Sequence, residues 1–466
     1  MTNQLFGRLK TVSPRITRSR KMVRFLSLLC AFAGMTLSLT CPTAVHAVPF
    51  TWSGTGNLWS AKENWTPEGV PRMAGDSATI TTGGANGVTL DIDPTLDSFT
   101  MNSAAKSLSI TGRTITVNGP STIDAGLVLL NSSTWTGTGK VGLSDKAVLV
   151  ATGSSSIPNM QDVAGRLTVT GTKMDGASLT NANTNLVIVG TLTLNTDAAG
   201  KQTVLTPGRF FLNAGNTTFQ GTNGSLALNA TISNQGSMAV NANTAIQGQK
   251  DGVHINQKSG RITIAKDTIL TFTGQSLQNL GTIQGNGVLD VRQLTSVNPK
   301  GVVNSGFLKP GSSPGTLTIN GDYTQVAAGG TLAIEIDGAA FDPLGSTDYS
   351  RLVVNGSALL DGLLDVTIGG GFTPQPSDVF TILTSTSGLD GFFENALPPS
   401  GSNIGFLSTD RGSFEVVYNE SATGAGSVVL RQFSAVPSPT TLLLLASGFA
   451  ALVLMREFRS KVSSAP

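Results

Sequence analysis

Along most of the chain the apolar residues come in short alternating triplets, not in helical stripes. Leu108-Ser109-Ile110 and Ile115-Thr116-Val117 set the pattern. It returns at Leu167-Thr168-Val169, Leu192-Thr193-Leu194, Leu226-Ala227-Leu228, Ile262-Thr263-Ile264 and Leu289-Asp290-Val291, then at Leu317-Thr318-Ile319, Leu332-Ala333-Ile334, Leu352-Val353-Val354 and Leu364-Asp365-Val366. A period of two puts the aliphatic residues on one face of a strand and Thr or Ser on the other. Between the triplets recurs Asn-x-Gly, at Asn234-Gln235-Gly236, Asn279-Leu280-Gly281 and Asn304-Ser305-Gly306. Both residue types tolerate the left-handed backbone of a sharp corner, so each is read as a corner. Strands with one apolar face, repeated every ~20 to 25 residues, are stable only when stacked on one another. The pattern therefore predicts an all-β fold, an elongated parallel β-helix (β-solenoid). About a dozen coils stacked ~4.8 Å apart would make a body ~60 Å long.

The solenoid body is expected over residues 90–368, with a cap at each end. Residues 48–89 hold three of the four tryptophans, Trp52, Trp59 and Trp65. Clustered indoles among Gly and Asn read as a hydrophobic plug over the open end of the stack. The alternative is a sugar-stacking platform, in which all three contact a glycan. Residues 369–433 are broken by Pro374, Pro376, Pro398 and Pro399 but keep strand patterns at 379–383 and 414–418, and are read as a C-terminal β cap with a linker.

The two ends depart from this pattern. Residues 1–47 read as a signal peptide: seven basic residues from Arg8 to Arg24 precede an apolar run from Phe25 to Leu39, and Val45-His46-Ala47 offers a cleavage site before Val48. Residues 434–466 join a proline pair, an apolar run and a basic stop. Within them, 440–455 is read as a transmembrane helix whose lipid-facing residues include Leu442, Leu443, Leu444, Leu445, Phe449, Leu452, Val453 and Leu454. Leu442 to Met455 alone is shorter than the ~20 residues that cross a bilayer comfortably. Thr440, Thr441 and the snorkelling stem of Arg456 extend it. Arg456, Arg459 and Lys461 would hold the far end in the cytoplasm, leaving the body on the periplasmic side of the inner membrane.

This tail resembles a PEP-CTERM sorting signal, with Val436-Pro437-Ser438-Pro439 at the position of the family's Pro-Glu-Pro and Ser438 standing for the glutamate. The resemblance implies a Gram-negative envelope protein handled by an exosortase, and from there a place at the cell surface or outside it. Asn304-Ser305-Gly306-Phe307-Leu308-Lys309-Pro310-Gly311 through Asn320-Gly321-Asp322-Tyr323-Thr324-Gln325 resembles autotransporter-associated β-strand repeats, as the Trp-Ser-Gly opening resembles exported β-helix passengers. That implies a structural or adhesive role, associated with matrix or exopolysaccharide, and transfers no catalytic residue.

Composition narrows the chemistry. Only 12% of residues are charged, and there are 55 Gly; the ordered alternation argues against disorder. Cleavage after Ala47 would remove both cysteines, Cys30 and Cys41, together with His46, leaving one histidine, His254. Cysteine nucleophiles, disulfides and two-histidine metal sites are then excluded. Losing the seven leader cations takes the formal charge from +2 to −5, and setting aside the tail's net +2 leaves −7, which does not suit a nucleic-acid partner.

The remaining motifs are weak. Gly311-Ser312-Ser313-Pro314-Gly315 fits G-x-S-x-G and Gly137-Thr138-Gly139-Lys140-Val141-Gly142 fits G-x-G-x-x-G, but neither leads into a helix, so both are read as turns. His254, between Asp251 and Lys258, is read as exposed and idle. Asp91 with Asp93, and Glu335 with Asp337, would share strand faces; Glu335, Asp337, Asp342 and Asp348 are the candidates for a calcium site. The sequence calls for no cofactor and no catalysis. The alternative readings are a polysaccharide lyase or hydrolase on a β-helix, and a carbohydrate-binding surface protein using the Trp cluster.

Overall fold

The computed structural model describes residues 47–436 and Val453, apart from 82, 84, 86, 153–154, 156, 158–159, 165, 171–172, 176–184, 197–202, 207–209, 222–224, 297–300, 312–313, 328, 342–346, 370 and 421–423. The chain divides into two units, Met1–Val45 and His46–Pro466, and the described residues belong to the second. The leader with Val45, and the tail with Pro437, Ser438, Pro439, Arg456, Arg459 and Lys461, lie outside the described residues. So does the proposed 440–455 helix, except for Val453, which is helical and exposed. No helix among the described residues is long and apolar enough to cross a membrane.

The described chain is a parallel β-solenoid. A representative coil runs through Thr231–Asn234, Ser237–Val240 and Thr244–Gln247, and the next through Val253–Asn256, Arg261–Ile264 and Ile269–Gly274. Each strand pairs in parallel with its counterpart one coil on, so the coils build three faces. On the third face nine strands, from Lys173–Asp175 to Phe380–Ser385, stack in one continuous parallel series, giving about nine turns. Earlier turns carry a separate three-stranded third face, Thr95–Leu96, Thr114–Val117 and Thr134–Thr136. There the first two faces merge into long strands, Ser98–Thr111, Ser121–Asn131 and Val141–Thr152, whose register shifts part-way along.

The triplets explain the packing. On the second face Leu192, Met238, Ile262, Ile283, Leu308 and Leu332 lie buried in one interior row, while Thr193, Thr218 and Thr263 point outward. Each such aliphatic burial contributes roughly 1.5–3 kcal/mol. Leu289-Asp290-Val291 departs from this rule. Leu289 and Val291 face inward as alternation requires, but Asp290 between them is buried too, and it accepts two bonds from the Arg292 guanidinium, at 3.0 and 2.7 Å. That hydrogen-bonded cation holds the Asp290 carboxyl below its ordinary range.

Inside the first face runs a column of amides. Asn213, Asn234, Asn256, Asn279 and Asn304 are all fully buried and stand in register from coil to coil. Each Nδ2 donates to the Oδ1 of the next, at 2.7, 2.8, 2.7 and 2.7 Å. Asn304 then donates to the Tyr323 hydroxyl (3.3 Å), which donates to Gln325 Oε1 (2.6 Å), and the Gln325 amide ends on the carbonyl of Asp361 (2.6 Å). The Asn-x-Gly corners are therefore at the expected places for a different reason. None of these asparagines or of Gly236, Gly281 and Gly306 has a positive φ. The asparagine is there to join the column. The glycine is there because a Cβ on Gly236, Gly281 or Gly306 would overlap the carbonyl oxygen of the glycine one coil before.

Both ends depart from parallel stacking. Pro49–Trp52 pairs in parallel with Ser77–Ile80 but is turned back by antiparallel Trp65–Thr66. At the other end Phe380–Ser385 pairs antiparallel with Gly426–Ala435, which leads through Gly412–Asn419 to Ile404–Ser408. This meander covers the last open edge of the third sheet.

Replacing Asn256 by alanine removes two rungs: the Asn234 amide keeps only the Arg261 carbonyl, at 3.3 Å, and the side-chain carbonyl of Asn279 is left buried without its donor. It should cost about 3 kcal/mol, read as a lower urea midpoint at unchanged m value. A loss under ~0.5 kcal/mol would mean that the column carries no structural weight.

Candidate functional site

A groove with a varied polar lining lies on the second face. Gln284, Lys309, Ala333 and Asp365 occupy one outward row of successive coils. The strand Thr331–Phe341 overruns its coil and folds back antiparallel onto Thr347–Tyr349. Glu335 on that strand and Ser350 just after the return line a groove of about 400 Å³ with Gln284, Lys309, Asp365 and Thr367. Beside it the Phe307 ring is 45% exposed, with Lys309 Nζ 5.3 Å from its centroid. An exposed aromatic face next to planar and charged hydrogen-bonding groups is equipped to hold a polyhydroxylated ligand.

Three of the four acidic candidates, Glu335, Asp337 and Asp348, end up close together. Burial, and then the like charges of Glu335 and Asp348, push the Asp337 carboxyl above its ordinary range. Its Oδ1 is buried without a hydrogen-bond partner. Asp342 lies outside the described residues. Among the described residues no three His, Cys, Asp or Glu side chains are arranged to hold a metal ion. With Asp342 outside the described residues, the calcium reading of Glu335, Asp337, Asp342 and Asp348 stays an expectation; what the described acids show is the repulsion that Glu335 and Asp348 exert on Asp337.

Asp91 and Asp93 do not pair either. The strand stops at Leu90, and each acid ties down a different neighbour: Asp91 takes the Ser60 N–H at 2.9 Å and Asp93 the Thr114 N–H at 2.8 Å. Burial works against the ionised Asp91, but the bonds from Ser60 outweigh it and lower its pKa.

The three N-terminal tryptophans offer no sugar platform. Trp52, Trp59 and Trp65 are 0%, 0% and 2% exposed. Each indole N–H is spent internally, on the carbonyls of Ala85 (3.3 Å), Pro71 (2.9 Å) and Trp59 (2.8 Å). Their rings pack edge-on at 5.0 and 4.7 Å and continue through Phe99 to the fourth tryptophan, Trp135. They fill the first coils from within.

His254 also differs from its reading as an exposed loop residue. It sits in the strand Val253–Asn256, fully buried, edge-on to Phe272 at 5.0 Å. Nδ1 accepts the Ile232 N–H (3.2 Å) and Nε2 donates to the Thr273 carbonyl (2.8 Å), which fixes the neutral Nε2–H tautomer. Gly137 and Gly139 fall in the turn between Thr134–Thr136 and Val141–Thr152, with a strand and no helix after them. In the other motif Ser312 and Ser313 lie outside the described residues, and the strand Thr316–Asn320 follows.

No family model, curated protein or solved structure matches this chain.

A carboxyl whose pKa rises on folding takes stability away as pH climbs from the unfolded value near ~4 to the raised one. Asp337→Asn should therefore raise the melting temperature at pH 7, by about 1–2 °C, and leave it unchanged at pH 3. Calorimetry of both chains at the two pH values measures this; equal shifts at both would remove charge repulsion as the cause.

Proposed function

We propose that this chain is an exported, envelope-associated β-solenoid with a structural or adhesive role at the cell surface. The observation that carries this reading is the stacked interior itself. From Asn213 to Asn304 the buried amides serve to join one coil to the next. The basic, apolar leader and the Pro-Ser-Pro tail support export and anchoring, with an exosortase and the inner membrane as partners. Ser438 keeps the extended backbone of the sorting tripeptide but lacks its carboxylate, which should weaken recognition by roughly 1–3 kcal/mol, about 5- to 150-fold. Ser438→Glu should thus speed release of the exterior part in an exosortase-bearing host, followed by fractionation and the size of the C-terminal piece. If the variant changes neither, the sorting half of the proposal falls.

The second reading is glycan contact, and it moves from the tryptophans to the groove beside Phe307. The exposed ring and the side chains of Gln284, Lys309, Glu335 and Asp365 favour it. Binding to the host's own exopolysaccharide, measured by calorimetry, should weaken at least tenfold in Phe307→Ala with melting temperature retained. Release of reducing or unsaturated sugar ends, abolished in Glu335→Gln, would instead make the groove that of a polysaccharide-active enzyme. No binding by the wild-type chain would dismiss the groove.

A further inference from the structure

We propose that His254 is an acid-sensitive fastener between two neighbouring coils, holding them together while its ring is neutral and loosening them when it is protonated. The backbone ladder has a gap at this point. The strand Thr231–Asn234 pairs along all four residues with Phe210–Asn213 in the coil before it. With Val253–Asn256 in the coil after it, pairing begins only at Ser233↔Ile255 and continues at Asn234↔Asn256. In that register Ile232 stands opposite His254. Its N–H goes to imidazole Nδ1, at 3.2 Å, where the register alone would suggest a ladder bond. The far side of the ring donates to the Thr273 carbonyl, on the third-face strand Ile269–Gly274. One side chain thus stitches the first face of one coil to the first and third faces of the next. At the adjoining opened position Thr231 Oγ1 accepts the Gln249 N–H at 3.3 Å. A Cβ on Gly248 would overlap Nε2, so the corner is shaped around the ring.

A protonated imidazole has two N–H donors and no acceptor. Its Nδ1–H would then face the Ile232 N–H directly, and the stitch would become a donor–donor contact in a buried site. Nothing nearby compensates the charge. The strands packed against the ring, Thr231–Asn234, Ile269–Gly274 and Ser276–Asn279, carry no titratable side chain. The adjoining corner holds Lys250 and Asp251, both exposed, and among the described residues neither bonds to the ring. Burial accordingly holds the imidazole below its ordinary pKa. Above ~6.5 the closed joint keeps its full advantage. As pH falls below that value the opened form takes up a proton before the closed form does, and opening becomes easier by up to about tenfold per pH unit until the closed-state pKa is reached.

The test is hydrogen exchange of the full chain by mass spectrometry, expressed as protection factors corrected for intrinsic rate at pH 7.5 and 5.5. Peptides covering 231–256 should lose about tenfold protection at the lower pH, while those covering Thr316–Asn320 should not. His254→Gln offers an acceptor and a donor on one amide and does not titrate, so its protection over 231–256 should be level. An independent reading comes from nitrogen NMR of the wild-type ring, assigned against a His46→Asn chain. Nδ1 should be unprotonated and Nε2 protonated at pH 7.5, with titration below the ordinary range. An Nδ1–H tautomer, a ring titrating near ~6.5, or an equal loss of protection in His254→Gln would each overturn the proposal.

Discussion

A polar group inside a stack of coils has no water to turn to and must be satisfied by its own coil or by the coils beside it, and this chain is arranged around that constraint. The asparagine column is its clearest expression. A single buried amide–amide bond adds only about 1 kcal/mol net, whereas an orphaned partner costs about 1–3 kcal/mol. The column therefore contributes less to total stability than the aliphatic rows do, and more to uniqueness. A slip of one residue would place every amide on the solvent face, and a slip of one coil would leave the members at each end unpaired. His254 obeys the same constraint with a ring in place of an amide, and so do the three N-terminal indoles, each donating to a carbonyl within the first coils.

Where the repeat stops, the same requirement is met by improvisation. After Asn304 the column passes to Tyr323 and Gln325, and the Gln325 amide also reaches the Leu363 carbonyl at 3.0 Å. Burial raises the Tyr323 hydroxyl well above its ordinary pKa, so it stays a neutral donor and acceptor in the relay. On the last second-face strand, the Asn395 side chain accepts the Leu364 N–H at 3.0 Å and donates to the Leu364 carbonyl at 2.9 Å. One amide thus imitates the missing neighbouring strand and blunts an edge that would otherwise pair with another chain.

The fold class was legible in the triplets because alternation is a local signal. Thr191–Asn195, Arg261–Ile264 and Thr316–Asn320 fall where Leu192-Thr193-Leu194, Ile262-Thr263-Ile264 and Leu317-Thr318-Ile319 place them. The polar interior was not legible, because an asparagine's direction depends on a partner one coil away. A signal was nonetheless present: Asn213, Asn234, Asn279 and Asn304 each follow an apolar residue, Phe211, Ile232, Leu277 and Val302, by two, and parity along a strand points both inward. The same parity puts His254 inside, two residues before Asn256. Asp91 and Asp93 failed for the opposite reason. Their spacing implies a shared face only if a strand continues through them, and it ends at Leu90.

The groove shows why the candidate site was harder to read than the fold. In a solenoid, every residue that keeps the period is committed to its neighbours, and stability rises with each copy that matches. Chemistry open to a ligand arises where the period is broken. Thr331–Phe341 runs past the end of its coil, and the return through Thr347–Tyr349 brings Glu335, Asp337 and Asp348 together over a face that already presents Lys309 and Asp365. No single strand encodes that meeting; it follows from how far one strand overruns and which outward row lies beneath it. Phe307 is part of the same departure. It occupies an outward position that earlier coils fill with Ser237, Arg261 and Thr282, and there an exposed ring adds nothing to stacking. A side chain that the scaffold does not use, beside a groove that the scaffold did not need, is where a partner has room to act.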